Sequence, residues 1–292
     1  MSLKPLKVNG ICIYIITTYN KMSTVIKPTQ FNANNVTGTA PVKKGDKLQA
    51  LLLYDNIPFL LETPALKVPF GVNRFGEKSD GSIDASKALG AYSMNMSAQG
   101  KDQERQADVK TFFDNLEEMD KVLLKYGIEH SKAIFGKVHQ HEAVVEALFT
   151  PTIKRSEDKE GNPYPHRIAP KIPADYDDET KPNVKVFQDT REDLNVDGFT
   201  FTELKEVVGK GTFVTAILQP RLWFISGKYG ITWKVVQMKV HARKTFGKPS
   251  AYAFSDNSSD TEQRGTTSDQ QSSDEASSSE TEHAKVHPKV HP

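Results

Sequence analysis

From Gly90 to Ser97 the side chains alternate, with Tyr92, Met94 and Met96 against Ser93, Asn95 and Ser97, the pattern of a half-buried strand. The period changes between Asp102 and Tyr126. There Val109, Phe112, Phe113, Leu116, Met119, Val122 and Leu123 recur at helical spacing, and Gly127 stands where a helix would stop. A shorter helix is predicted from Glu142 to Phe149, presenting Val144, Val145 and Leu148 and halted by Pro151. Ile134–Lys137 reads as a helical turn between the two.

On either side of this helical insertion the pattern is that of strands. Leu48–Tyr54 reads as the first buried strand, with Asp55-Asn56 as its turn. Pro58, Pro64 and Pro69 then forbid a helix and hold the backbone extended. Phe59, Leu61, Leu66, Val68 and Phe70 supply core anchors between them. Asn73–Ser86, which opens with Arg74 and Phe75, reads as a loop, and residues 27–46 as irregular chain carrying Lys43 and Lys44 ahead of Lys47. Residues 152–182 are charged and proline-rich, hence extended and solvent-facing. Asn183–Gln188 is a strand, and Thr200 with Glu203 forms a capping box that opens one or two helical turns.

The richest stretch is Gly211–His241. Two runs of strand formers flank Gly227-Lys228-Tyr229-Gly230, and the two glycines suggest a four-residue hairpin loop. Ser226 would then pair with Ile231, and Trp223 with Lys234. One face of the ribbon carries Leu222, Phe224, Ile231, Trp233 and Val235 and reads as core. The other carries Arg221, Trp223, Ile225, Thr232 and Lys234, an aromatic among cations and hydroxyls that suits a groove stacking bases and holding phosphates. An ordinary hairpin with a partly exposed Trp would give the same composition.

The order strands, helical hairpin, strands excludes a βαβ alternation and its parallel sheet. The fold class is mainly β with inserted helices (α+β), most simply a small closed antiparallel barrel with the helices on one side. The 292 residues, 37% of them hydrophobic, suffice for one good-sized core or two small ones. The single cysteine, Cys12, excludes a disulfide framework within the chain and fits a reducing compartment. No apolar run approaches the roughly 20 residues that span a bilayer, so a soluble, intracellular protein without a membrane partner is expected.

Net charge is +1, but unevenly spread. From Ser255 to His283 there are eight acidic residues and one Arg, which leaves the preceding body mildly basic. Residues 255–292 lack aromatics and are expected to be a disordered acidic tail ending in the repeat KVHPKVHP. At the other end, 1–46 reads as an irregular N-terminal segment, of which 1–21 looks foreign to the rest. A start upstream of the true one at Met22, a genuine strand and a targeting segment all remain open.

The usual signatures of catalysis are missing. His139 and His141 are two apart and would diverge on a helix, and Asp175, Asp177, Asp178 and Glu179 lack the glycine of a calcium loop. The chain has no P-loop, no GxGxxG and no nucleophile elbow. Neither an enzyme nor a cofactor is expected.

Four segments in order carry a resemblance: Pro58–Val72, Ile134–Lys137, Tyr164-Pro165 ahead of Lys171-Ile172-Pro173, and the hairpin from Trp223 through Gly227-Lys228-Tyr229-Gly230-Ile231 to Trp233-Lys234. Over about residues 45–241 the chain resembles the single-stranded-DNA-binding proteins of nucleocytoplasmic large DNA viruses, of the algal-virus type. The resemblance implies an OB-fold-like Greek-key β-barrel over 47–246 with a helical insertion around 102–150. It also implies a role in coating single-stranded DNA during viral DNA replication, recombination or repair, at a replication site in the host nucleus or cytoplasm. Trp223 would stack on bases and Tyr229 would join it from the loop tip. Arg221, Lys228, Lys234 and Lys239 would hold phosphates, with Lys43, Lys44, Lys47, Arg74 and Phe75 extending the groove. The acidic tail would compete for that groove or recruit replication proteins. The alternative is a virion or scaffold β-barrel whose exposed aromatics bind other proteins.

Overall fold

The computed structural model describes residues 24–241, apart from 79, 80, 140, 196 and 197. Cys12, the segment 1–21 and the acidic tail 255–292 lie outside the described residues. The first strands are β1 (Thr24–Ile26), β2 (Val36–Gly38), β3 (Val42–Lys44), β4 (Lys47–Gln49) and β5 (Leu52–Tyr54). They are followed by β6 (Ile57–Glu62), β7 (Leu66–Val68), β8 (Val72–Arg74), β9 (Tyr92–Met94) and β10 (Met96–Gly100). Helices α1 (Gln106–Glu129), α2 (Ser131–Phe135) and α3 (Glu142–Leu148) come next. The chain then returns to strands β11 (Phe149–Thr150), β12 (Arg167–Ile168), β13 (Lys171–Ile172) and β14 (Lys185–Gln188). Helix α4 (Phe201–Val207) leads into the long hairpin of β15 (Thr212–Ile225) and β16 (Lys228–His241). The molecule is therefore mostly β with a few helices.

That hairpin is the spine of the main sheet. Strands β6 and β7 pair antiparallel to β15, while β11, β13 and β14 run parallel to β16. Outward from these, β10 pairs with β7, β12 with β10, β9 with β13 and β8 with β9. The hydrogen-bonded path has ends at β12 and β8. Both interruptions near those ends are short: Asn95 alone separates β9 from β10, and Ala169-Pro170 separates β12 from β13. The sheet is thus neither closed nor wholly antiparallel, contrary to expectation, because the interrupted strands leave only the Met94 N–H to Pro170 carbonyl bond, 3.2 Å, across the gap. Strands β3 and β4 form a separate two-stranded sheet.

The turn at the tip of the spine is tighter than the glycines suggest. Ser226 and Gly227 both adopt left-handed backbone, φ 51° and 73°, so a two-residue turn joins Ile225 to Lys228. The expected pairing of Trp223 with Lys234 is replaced by Trp223 with Gly230. A shift of four residues is even, and an even shift leaves every side chain on its own face. Leu222 opposes Ile231 and Phe224 opposes Tyr229 on the inner face; Arg221 opposes Thr232 and Gln219 opposes Lys234 on the outer.

Tyr229 therefore belongs to the core, and its predicted place at the loop tip is wrong. It is fully buried, and its hydroxyl donates to the Leu123 carbonyl of α1 at 3.0 Å. The same contact explains why α1 does not end at Gly127. A Cβ there would overlap the Tyr229 hydroxyl and come within 2.8 Å of Val145 Cγ1, so the glycine serves close approach rather than termination. Helix α1 buries the predicted stripe, from Val109 through Phe112, Leu116 and Met119 to Leu123.

Other expectations shift as well. Leu48–Tyr54 is not one buried strand, since Gln49 and Leu52 belong to different ladders and Lys47 is exposed. Residues 24–46 are not irregular throughout: β1 lies parallel to β6, β2 pairs with β5, and Phe31, Ala33 and Val36 are buried. Phe70 is no core anchor, being 60% exposed. The segment 152–182 is not wholly solvent-facing, because Ile153, Ile168 and Ile172 enter the core. The capping box at Thr200 and Glu203 forms as predicted and opens α4.

Candidate functional site

The outer face of the spine presents two rows of side chains, Gln219, Arg221 and Trp223 on β15 and Lys234, Thr232 and Gly230 on β16. Strand β13 adds Lys171 beside Lys234, and β9 adds Ser93 beside Lys171. An open groove of about 820 Å³ runs over this surface, lined by Arg74, Tyr92, Lys171, Arg221, Thr232 and Lys234 among others. Asp175, Glu179 and the exposed Tyr176 also line it. Arg221 and Lys234 border a second groove of about 1320 Å³ under the β3–β4 hairpin, which contributes Val42, Lys44 and Leu48.

Among the described residues Arg74, Lys171, Arg221 and Lys234 form no ion pair. The Arg221 guanidinium donates to Gln219 Oε1 at 3.0 and 3.2 Å, and Arg74 Nε donates to the Gly90 carbonyl at 2.8 Å. Partial burial lowers the Lys234 ammonium pKa, and the nearby Arg221 charge lowers it further. An anion placed beside Lys234 would favour its charged form and so offset both effects.

Aromatic surface borders the cations. Tyr92 stacks on Phe201 with 3.6 Å between ring centroids, and Arg74 and Lys205 lie 4.9 and 5.4 Å from its ring centre. Trp223 rests across the strand on Gly230, whose missing Cβ would meet Trp223 Cζ2 at 3.0 Å and the Thr150 carbonyl at 2.8 Å. The indole is half-buried and remains on the outer face, two residues along β15 from Arg221. The site thus offers ring faces and unpartnered positive charge side by side.

Of the residues singled out from sequence, Arg74, Arg221 and Lys234 meet in one groove, and Lys44 lines the adjoining one. Lys43 and Lys47 are exposed on the same small hairpin as Lys44. Phe75 is 66% exposed, its Cβ against the groove residue Gly90. Lys228 is exposed at the start of β16, and Lys239 is exposed towards its other end, opposite Thr215 and Phe187. Tyr229 drops out. Lys171, Tyr92 and Tyr176 were missed; only the alternation around Tyr92 hinted at a strand, and nothing local placed Lys171 next to Lys234.

Among the described residues no group of three or more His, Cys, Asp and Glu could hold a metal ion. No helix among them is long and apolar enough to cross a membrane. No family model and no curated protein matches the chain. Among solved structures it is similar to the single-stranded DNA-binding protein from bacteriophage Enc34, at TM-score 0.35 and 15% identity, covering 73% of this chain and 95% of that one. The complex of that phage protein with single-stranded DNA matches at TM-score 0.34 and 14% identity, over 71% and 98%. The single-stranded DNA-binding protein gp2.5 encoded by bacteriophage T7 matches at TM-score 0.36 and 11% identity, over 67% and 98%.

Proposed function

We propose that the chain binds single-stranded DNA without sequence preference and without catalysis, serving viral DNA replication, recombination or repair. One observation carries the reading: Arg74, Lys171, Arg221 and Lys234 converge without ion-pair partners on one open groove bordered by aromatic rings. Cations following a backbone beside stacking platforms are what sequence-tolerant binding of single strands requires. The stacked aromatics would add roughly 1–3 kcal/mol per base.

The strand pairing supports an OB-fold reading. If β6–β7, β9–β10 and β12–β13 each count as one interrupted strand, the first pairs with the second and the second with the third. The third runs parallel to β16, β16 pairs with β15, and β15 returns to the first. On that count the order matches the one expected of a five-stranded, partly open Greek-key barrel, with α1 to α3 falling between its second and third strands. The proposed DNA groove then crosses the barrel's outer face, and the β15–β16 hairpin projects beside it. The four ordered sequence segments resembling the large-DNA-virus proteins point the same way, and the acidic residues 255–292 are proposed to compete for the groove or engage replication proteins.

Tryptophan emission tests the reading directly, because Trp223 lies on the outer face of the hairpin and Trp233 is buried on its inner face. Titrating the full chain with oligo-dT should quench emission, and Trp223→Phe should remove most of the change. The logarithm of affinity should fall with the logarithm of salt by about 0.7 per phosphate contacted. Duplex of equal charge should bind more weakly. Flat emission together with flat anisotropy of labelled oligonucleotide would overturn the proposal, and salt-independent binding of a protein partner would favour the scaffold alternative.

A further inference from the structure

The same outer surface carries a second group of cations away from the groove. Lys154 and Arg167 face one another across an antiparallel bridge, exchanging both backbone hydrogen bonds at 2.8 and 3.2 Å. Side chains at such a pair stand on one face, about 5 Å apart at Cβ, and like charges opposed there are destabilising. The row continues through Ser97, which pairs with Arg167 on one side and with Lys67 of β7 on the other. Among the described residues Lys67, Lys154 and Arg167 form no ion pair. Glu117 is nearby but engages Arg155 at 2.5 Å and His166 at 3.6 Å, the neighbours whose alternate positions face the other way. The Arg167 guanidinium is held by Ser156 Oγ at 2.9 Å. Lys154, partly desolvated, has its pKa lowered by burial and further by Arg167 and Lys171.

Arg167 and Lys171 are four residues apart, and so are Ser97 and Ser93. An even spacing keeps both rows on one face, about 13 Å apart along the strands. The first row is Lys234, Lys171 and Ser93; the second is Lys154, Arg167, Ser97 and Lys67. Lys171 belongs to the groove and also reaches Lys154 electrostatically, so it joins the two.

We propose that Lys154, Arg167 and Lys67 form a second phosphodiester-holding subsite, which takes the strand as it leaves the groove over Lys171. The inference rests on the single-strand reading of the groove and adds a length and a path to it. A short strand fills the groove alone. A longer one gains the outer row, and each added phosphate contact steepens the salt dependence by about 0.7.

The experiment uses the full chain with Lys154→Gln and, separately, Lys67→Gln, two exposed or half-buried positions at which loss of charge leaves the core untouched. Anisotropy is measured with dT oligomers of increasing length across a fourfold range of salt. Wild type should show a second gain in affinity and slope beyond the length that fills the groove. Each variant should bind the short oligomers as wild type does and lose about 0.7 of slope on the long ones, roughly a 2.5-fold difference over that salt range. Identical slopes for wild type and variants at every length would overturn the subsite while leaving the groove reading intact. If wild type bound no oligomer at all, the groove reading would fall, and tripolyphosphate would then decide the subsite. A rise in Tm that Lys154→Gln abolishes would keep it as a site for a free phosphate ligand, and no rise would overturn it as well.

Discussion

The solvent face of α1 and the outer face of the sheet use the same charged residue types in opposite ways. On the helix Lys110 pairs with Asp114 and Lys121 with Glu118, each at 2.6 Å, and Glu117 pairs with Arg155. Those partners raise the Lys110 and Lys121 pKa values. On the sheet the Lys154 and Lys234 values fall, because partial burial and neighbouring cations replace the partners. Exposed ion pairs contribute only about 0–1 kcal/mol each, so folding does not demand them on either face. The contrast locates the charge that the fold leaves available to a ligand.

The largest test of this contrast removes the brace between the two regions. Gly127→Ala would drive a methyl into the Tyr229 hydroxyl, and overpacking of this kind costs about 1–3 kcal/mol. Urea unfolding should show a loss at the upper end of that range, and an unchanged midpoint would mean that the helix and hairpin separate freely. Next, Arg221→Gln with Lys234→Gln should reduce the salt slope for oligo-dT by about 1.4, two contacts' worth. Because both charges repel in the free protein, its stability should hold or rise. A stability loss would mean that these cations hold the fold rather than a ligand.

Acid provides a third measurement, on the helix side. Burial pushes the Asp120 carboxyl up to about 6, although the Thr152 N–H donates to it at 3.0 Å. A carboxyl whose folded pKa exceeds its unfolded value near 3.8 binds its proton more tightly when folded. The stabilisation is complete below the unfolded value and is lost as pH rises through about 6. Between pH 7 and pH 5 it should amount to about 1 kcal/mol. Burial lowers the His241 pKa against the pull of Asp189, so His241 loses stability as pH falls through the same window. The comparison with Asp120→Asn isolates the carboxyl: the variant should lack the acid-side gain, and equal pH profiles would refute the assignment. The smallest effect is expected from Lys110→Gln, whose exposed, screened ion pair should leave both the urea midpoint and the oligo-dT affinity unchanged. A loss of affinity there would blur the distinction between the faces.

Much of this arrangement was legible because alternation survives an even slip. The wrong hairpin register still sorted Arg221, Trp223 and Lys234 from Leu222, Phe224 and Trp233, since a four-residue shift preserves parity. What misled was the turn. Ser226 takes a left-handed conformation that sequence assigns to glycine, while Gly230 is needed for the approach of Trp223 and Thr150. Tyr229 consequently passed for a surface aromatic. The irregularity between Ile217 and Leu218, which leaves Val236 without a partner on β15, has no local signature. Lys171, Lys154 and Arg167 escaped notice for a different reason: their neighbours are set by pairing between segments far apart in the chain. The helical stripe and the capping box at Thr200, both short-range, were read correctly.

The bond from Tyr229 to Leu123 spans 106 residues of chain. Contacts of such separation are closed late, because loop entropy must be overcome before they are rewarded. On a growing chain α1 is synthesised well before β16, and the slot at Gly127 stays vacant until β16 arrives. The order of synthesis thus makes the β15–β16 hairpin a late piece to seat, and a slow refolding phase reported by Trp233 would be the kinetic trace of that closure.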